Sequence, residues 1–190
     1  PELLPFQQTV LASDRVRYVG EPLALVVAES IEQAHDAATC IAVDIETLPP
    51  LVDAHAAASH MRLFDGAASN IAMTLTGSKG DPDRAFRACD YTRKATFSVH
   101  RHTGSPMEAR GVLARWDEAT GRLTVYGAAK VPFAIRTQLA RDLALPEAAI
   151  DVIENDVGGG FGIRGEYYPE DFLVPYAARR FCRPVKWVET

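Results

Sequence analysis

The residues best suited to chemistry form a glycine-rich stretch in the last third of the chain. Residues 156–162 read DVGGGFG, with glycine at four of the five positions from 158 to 162. Glycine adopts positive φ angles and leaves no Cβ between the backbone and a ligand, so such a loop can direct several N–H groups at oxo or phosphate oxygens. A tight turn after a strand has the same composition. The letters alone leave both interpretations open.

Two known phosphate-binding motifs can be compared with this stretch. A Walker A loop is excluded because no Gly-Lys-Ser or Gly-Lys-Thr follows. Residues 160–165 match the dinucleotide fingerprint GxGxxG, and Glu189 lies near the expected spacing of its acidic residue, roughly 20 positions on. That fingerprint opens a helix directly, whereas the next predicted helix here begins at Pro169. A dinucleotide site stays an open alternative.

A histidine pair suggests a third kind of chemistry. His100 and His102 would lie on the same side of a continuing strand, and Glu108 is the nearest acid. Catalytic metal sites need three protein ligands, and no further ligand is evident. We therefore predict no metal ligands, and we keep a metal-dependent hydrolase as an alternative.

Lys130 is a candidate cation for an anionic ligand. It comes just before the predicted helix at Pro132. A solvated lysine at the end of an element is the ordinary interpretation, because lysine side chains are mostly exposed.

The first half of the chain is predicted to alternate strands and helices. Strand-like patterns occupy residues 16–28 and 41–48. Between them, Ser30 and Gln33 form a capping box that starts a helix ending near Thr39. Further strands are predicted at residues 71–76 and 91–99. Between these two, Asp81 and Pro82 start a short helix that runs through Ala88.

The second half is predicted to place the glycine stretch between a strand and a helix. Residues 111–116 and 122–126 form a hairpin, and residues 149–153 form a strand. A helix from residue 169 to 181 follows, with a kink or local break at Pro175. One further helix before the strand shows an apolar stripe at every fourth residue, formed by Val131, Ile135, Leu139 and Leu143.

Composition narrows the classes of function. The chain has 190 residues, of which 47% are hydrophobic and 24% charged, as in a soluble globular protein. A net charge of -5 disfavours nucleic acid as a partner. No apolar run reaches the roughly 18 residues of a membrane span.

Cysteine usage and the chain ends support further expectations. Three widely spaced cysteines offer no disulfide framework, which indicates a reducing compartment. We expect a cytoplasmic location, with the periplasm left open. The start at Pro1 and the end at Thr190, directly after a strand-like stretch, predict a fragment of a longer polypeptide. Exposed strand edges and apolar patches of such a fragment predict self-association.

Two long stretches resemble one family. The first contains YVGEPLALVVAES, QAHDAA and VDIETLPPLVDA; the second runs from GDPDRAF through SPMEARGVLARWD and DVIENDVGGGFG to YYPEDFLVPYAARRFCRPVKWVET. Together they resemble the molybdopterin-binding large subunit of molybdenum hydroxylases of the xanthine dehydrogenase and aldehyde oxidase type. The resemblance covers almost the whole chain.

The resemblance implies an α+β fold in three parts. Residues 1–58 would be the C-terminal part of an a/b hammerhead domain, and residues 59–79 would be a linker. Residues 80–190 would be the N-terminal part of a molybdopterin-binding domain.

The resemblance also implies a reaction and its cofactors. Similar enzymes hydroxylate an aldehyde or an N-heterocycle, a small-molecule substrate, with oxygen taken from water. Their cofactor is molybdopterin carrying molybdenum, here expected in the cytosine dinucleotide form. Electrons leave through 2Fe-2S clusters and FAD on partner subunits or domains.

Residue by residue, the resemblance assigns a cofactor loop. The matching positions are Gly159, Gly160, Phe161 and Gly162. Lys130 stands where many members have a glutamine beside the molybdenum oxo group, so it joins the cofactor-binding set. Glu166 would contact substrate, although it comes one position later than in xanthine-oxidising relatives.

The family's catalytic glutamate belongs to a C-terminal glycine-rich segment that this sequence does not contain. The chain is therefore expected to hold no catalytic residue and to be inactive alone. Lys130 and the shifted Glu166 leave a second interpretation open, a non-catalytic scaffold or assembly module derived from the same family.

Overall fold

A computed structural model describes most of the chain, namely residues 3–57, 61–127 and 129–190. The chain divides into two compact units. One consists of Pro1–Gln8 and Glu46–His102, and the other consists of Thr9–Ile45 and Thr103–Thr190. The glycine stretch lies in the second unit.

The second unit contains a mixed four-stranded sheet with the order β3-β2-β1-β4. Its strands are β1 (Gly111–Asp117), β2 (Arg122–Gly127), β3 (Ile150–Ile153) and β4 (Val185–Val188). Strand β1 pairs antiparallel with β2 and β4, whereas β2 pairs parallel with β3. The four α-helices of the described chain are α1 (Ile31–Thr39), α2 (Pro82–Ala88), α3 (Pro132–Asp142) and α4 (Pro169–Phe181), and two short 3-10 helices span Leu4–Phe6 and Glu147–Ala149.

The β1–β2 hairpin forms as the sequence predicts. Asp117 pairs with Arg122 at the closed end, and Gly121 supplies the positive φ of +64° that the turn requires. The Asp117 carboxylate accepts a hydrogen bond from the N–H of Ala119 at 3.1 Å, which stabilises the turn.

One face of the sheet packs against α3 and α4. Along β1, Val112 and Ala114 are buried, whereas Leu113 and Arg115 are exposed on the other face. The apolar stripe predicted for α3 is confirmed, because its members belong to or pack against this core. The largest fully buried side chains are Leu123, Leu139, Ile150, Val174 and Pro175.

Helix α4 runs from Pro169 to Phe181 without the predicted local break at Pro175. Proline removes one intrahelical hydrogen bond, but its ring is fully buried in the core, and apolar burial offsets that loss. At the start of α4, the backbone N–H of Tyr168 donates to the Asp171 carboxylate at 2.8 Å. At its end, Cys182 adopts a left-handed conformation with φ +51°.

The two earlier helices confirm their predicted caps. Ser30 accepts from the N–H of Gln33 at 3.3 Å, and Asp81 accepts from the N–H of Arg84 at 2.9 Å. Neither helix contains a buried residue.

The strands predicted at residues 16–28, 41–48, 71–76 and 91–99 do not form among the described residues. A strand needs a neighbouring strand for its ladder of hydrogen bonds. No described segment pairs with these stretches, and their alternating apolar side chains, such as Ile41, Val43 and Ile45, remain exposed.

The first unit has little regular structure besides α2. Phe6 packs edge-on against Phe64, with ring centroids 5.5 Å apart. Asn70 accepts from the N–H of Leu63 and donates to the carbonyls of Ala57 and Met61, each at 2.9 Å. Within the described ranges, no helix combines the length and apolar composition needed to cross a bilayer.

Candidate functional site

The glycine-rich loop connects the end of β3 to the start of α4. It contains turns from residue 161 to 164, and α4 begins only at Pro169. The following strand β4 pairs antiparallel with β1 and does not continue a parallel βαβ unit. A dinucleotide fingerprint requires a helix opened by its own glycines, so the structure contradicts that alternative for residues 160–165.

The loop backbone needs its glycines. Gly159 and Gly162 have φ angles of +102° and +92°, and Phe161 between them has φ +46°. A Cβ on Gly159 would lie 2.8 Å from Cε2 of the Phe161 ring. The N–H of Ile163 donates to the carbonyl of Gly160 at 2.9 Å and closes the turn.

The loop presents unpaired donors. The backbone N–H groups of residues 159–162 donate to no acceptor in the part of the chain that the structure describes. Successive N–H groups in such a left-handed turn form a concave binding site for anionic or oxo oxygens. Phe161 lies between these donors in the loop, and 74% of the residue is exposed.

Lys130 lies next to this loop. Its N–H donates to the carbonyl of Arg164 at 3.1 Å, and its Cδ is 3.6 Å from the position of a Cβ on Gly165. The side chain is exposed, and no acid of the described residues forms an ion pair with its ammonium. The Lys130 side chain thus adjoins the glycine-rich loop and has no ion-pair partner in the part of the chain that the structure describes.

Glu166 is exposed and follows the loop directly. It lines a cavity of about 40 Å³ together with residues of the sheet and of the start of α4. Burial raises the pKa of the Tyr168 phenol; the Arg110 charge opposes that shift, and the Glu166 carboxylate adds to it. The charge of Glu166 therefore acts on the Tyr168 phenol, which lines the same cavity.

Sequence reasoning missed two residues that hold the loop. The Glu108 carboxylate accepts from the N–H of Gly158 at 2.6 Å. The same oxygen lies 3.2 Å from Nη2 of Arg164, which also donates to the Glu108 carbonyl. Arg164 occurs within the fingerprint match and Glu108 within the family-like SPMEARG stretch, but their letters do not show that they pair.

A second charged cluster supports the start of α4. The Arg110 guanidinium lies 4.0 Å from the centroid of the Tyr168 ring and 3.1 Å from a Glu189 oxygen. Burial raises the pKa of the nearby Asp171 carboxyl, although the Tyr168 N–H and Arg110 act in the opposite direction. This cluster fixes the residues that follow the loop.

The histidine hypothesis gains no support. A ring nitrogen of His102 lies 2.9 Å from the carbonyl of His100, and both residues are exposed. Within residues 3–57, 61–127 and 129–190, no group of three or more His, Cys, Asp or Glu side chains is arranged to hold a metal. Glu108, the acid nearest to the two histidines in sequence, contacts Gly158 and Arg164 instead.

The glycine-rich loop of this α+β fold, with its backbone N–H donors, is a candidate site for an oxyanion or a cofactor. Residues 63–190 match the family model of the molybdopterin cofactor-binding domain. Residues 2–49 match the a/b hammerhead domain of aldehyde oxidase and xanthine dehydrogenase. The chain belongs to this family of molybdenum hydroxylase large subunits, which confirms the predicted fold class and family. The exact domain boundaries near residues 58 and 80 stay predictions.

Several relatives are similar over nearly the whole chain. The nicotine 6-hydroxylase large subunit of Paenarthrobacter nicotinovorans is 35% identical over 95% of this chain and 22% of its own length. The carbon monoxide dehydrogenase large chain of Afipia carboxidovorans is 32% identical over 100% of this chain and 25% of its own length.

Solved structures agree with these relatives. The quinoline 2-oxidoreductase of Pseudomonas putida 86 superposes with a TM-score of 0.90 at 36% identity, covering 96% of this chain and 23% of that one. The chain thus spans about a quarter of the length of the proteins it matches.

Proposed function

We propose that this chain works within the large subunit of a molybdenum hydroxylase, where it forms part of the molybdopterin site. Gly159, Gly160, Phe161, Gly162 and Lys130 bind the cofactor, and Glu166 contacts the substrate. The observation that carries the proposal is the set of N–H groups at residues 159–162 that have no acceptor among the described residues, next to Lys130, which forms no ion pair with a described acid.

The residues present fit such a cofactor. Its oxo and pterin oxygens need donors that protein acceptors do not already use, and the loop provides them. Gly159 has a φ of +102°, which residues with a side chain rarely adopt, so the backbone itself forms the surface. When bound, the molybdenum cofactor supplies the redox chemistry that transfers oxygen from water to carbon.

The protein's own groups orient the reactants. The N–H groups of residues 159–162 fix the position of acceptor oxygens, and the Lys130 ammonium stabilises negative charge on them. The exposed Phe161 ring offers an apolar face for a flat substrate and excludes water from that side. Glu166 accepts a hydrogen bond from a substrate N–H group.

An N-heterocycle is the substrate class best supported. Two of the similar proteins reported above carry names that specify such compounds, nicotine and quinoline. An aromatic N-heterocycle would stack on Phe161, because offset aromatic pairs are favourable. Aldehydes form the second class, since an aldehyde oxidoreductase from Desulfovibrio gigas superposes with a TM-score of 0.80 at 25% identity.

The proposal extends to the assembly. The cofactor is expected in its cytosine dinucleotide form, and partner subunits or domains are expected to carry 2Fe-2S clusters and FAD. Relatives are described as a large subunit and as subunit gamma of a dehydrogenase complex, which supports a role within a larger enzyme. We expect the chain alone to be inactive and the enzyme to be cytoplasmic.

A non-catalytic scaffold is the second candidate. It is favoured by one observation, the exposed cation of Lys130 at the position that the family resemblance assigns to a neutral glutamine. A single experiment separates the two functions. The complete subunit, purified with its partners, is incubated with N-heterocycles and an artificial electron acceptor in water enriched in the heavy isotope of oxygen. A product that carries the label supports the hydroxylase, whereas no turnover of any substrate supports the scaffold.

A further inference from the structure

Three segments that are distant in sequence meet at one ion pair. The Glu108 carboxylate accepts from the N–H of Gly158 at 2.6 Å and lies 3.2 Å from the Arg164 guanidinium. The Arg164 carbonyl accepts from the N–H of Lys130 at 3.1 Å. The Glu108–Arg164 ion pair thereby joins the two ends of the glycine loop, and the backbone of Arg164 adjoins Lys130.

The Arg164 side chain is only 2% exposed, yet it is incompletely paired. Its Nε and Nη1 atoms are buried and have no hydrogen-bond partner among the described residues. Such a charge tolerates burial only with an ionic partner, and Glu108 forms the ion pair. The position of the guanidinium therefore depends on Glu108, and the position of Glu108 depends on the guanidinium.

Packing adds a steric component to this attachment. A Cβ on Gly158 would lie 2.6 Å from the Glu108 Cβ. A Cβ on Gly104 would lie 2.8 Å from the Phe161 Cβ, so the middle of the loop is also in close contact with the preceding segment. The loop has little freedom to move as long as residues 104–108 stay in place.

We propose that Glu108 and Arg164 are positioning residues for the cofactor loop. They touch neither cofactor nor substrate. Glu108 acts through the Gly158 N–H at one end of the loop, Arg164 holds Glu108 from the other end, and together they set the direction of the N–H groups at residues 159–162. The inference rests on the proposed function, because it assumes that these groups meet the cofactor. A hydrogen-bond donor that is displaced by about 1 Å no longer points at its acceptor, so the Glu108–Arg164 pair controls how the loop binds the cofactor.

The test uses the complete subunit assembled with its partners. Glu108→Gln keeps the shape and the acceptor for Gly158 but removes the charge. Arg164→Met removes the cation, and Arg164→Lys restores it. The matched control is Arg122→Ala, which breaks an exposed ion pair with Asp151 at the opposite end of β2. Each protein is examined for molybdenum per subunit, for kcat and KM per molybdenum, and for the electron paramagnetic resonance spectrum of the metal centre.

Glu108→Gln and Arg164→Met are expected to lower molybdenum content or kcat per molybdenum about 10-fold and to change the spectrum, as outer-shell substitutions do. Arg164→Lys should recover part of the loss, and Arg122→Ala should match the wild type. Variants that match the wild type in all three measurements would overturn the inference while leaving the proposed function intact. Failure of Glu108→Gln to give a folded subunit would also overturn it, by assigning the pair to folding alone. A wild-type subunit without molybdenum would contradict the proposed function itself.

Discussion

Gly158→Ala tests the attachment of the glycine loop through sterics alone. The substitution adds a Cβ that would lie 2.6 Å from the Glu108 Cβ and 3.1 Å from its Oε2. Gly158 does not have a positive φ, so alanine introduces no backbone strain of its own. The Glu108 Cβ is the first atom of its side chain and moves only with the backbone. The loop must therefore shift away from Glu108.

The size of the effect follows from two contributions. Overpacking of this kind costs about 1–3 kcal/mol. If the shift also breaks the hydrogen bond from Gly158 to the charged carboxylate, it removes about 1.5–3 kcal/mol more. We therefore expect the free energy of unfolding to fall by about 1–3 kcal/mol if the hydrogen bond survives, and by about 2.5–6 kcal/mol if it is lost. Gly121→Ala is the control for a glycine substitution without a steric clash. Its φ of +64° strains the backbone of an alanine, but no atom lies within 4 Å of the added Cβ.

Urea unfolding of the chain, followed by tryptophan fluorescence, measures this loss. Both tryptophans, Trp116 and Trp187, lie in strands of the sheet next to the loop. Glu108→Gly removes the opposing Cβ, so Gly158→Ala should cost less in that background, as a double-mutant cycle would show. An unfolding free energy of Gly158→Ala equal to that of the wild type, or a cycle without coupling, would refute the steric argument.

Three further predictions concern the core, the pH dependence and the lysine. Leu139→Ala should lower the free energy of unfolding by about 2–5 kcal/mol, because Leu139 is 0% exposed beneath the sheet. An unfolding midpoint at the same urea concentration as in the wild type would contradict this. Burial raises the pKa of Asp171 above its ordinary 3.8, so the protonated form favours the fold and this stability is lost as the pH rises through the folded pKa. The stability of the wild type relative to Asp171→Asn should therefore decrease with rising pH in a series of unfolding curves, and a constant difference would exclude the raised pKa. Lys130→Gln in the complete subunit should change KM for an anionic substrate or the molybdenum content; unchanged kinetics and content would remove Lys130 from the site.

Elements set by local chemistry could be predicted from the sequence. The caps at Ser30 and Asp81, the Gly121 hairpin and the stripe on α3 each depend on residues a few positions apart, and the structure confirms them. The strands predicted near residues 16–28 and 41–48 were not found, because strand formation depends on a partner strand that periodicity alone does not reveal.

The candidate site also has features that the sequence predicts and features that only the folded chain shows. The glycines at residues 158–162 indicated a loop that approaches a ligand. That its N–H groups have no acceptor among the described residues follows only from the folded backbone. Glu108 and Arg164 are 56 residues apart, and no local pattern links them. Their pairing depends on how β1 and the loop after β3 meet in the sheet, which is a tertiary property.

The most direct test of the central claim is the molybdenum and pterin content of the complete subunit. The subunit is purified with its partners from cells that make active relatives, and elemental mass spectrometry and the fluorescence of the oxidised pterin are recorded on the same sample. We predict near-stoichiometric molybdenum together with pterin. A folded subunit that contains neither would contradict it.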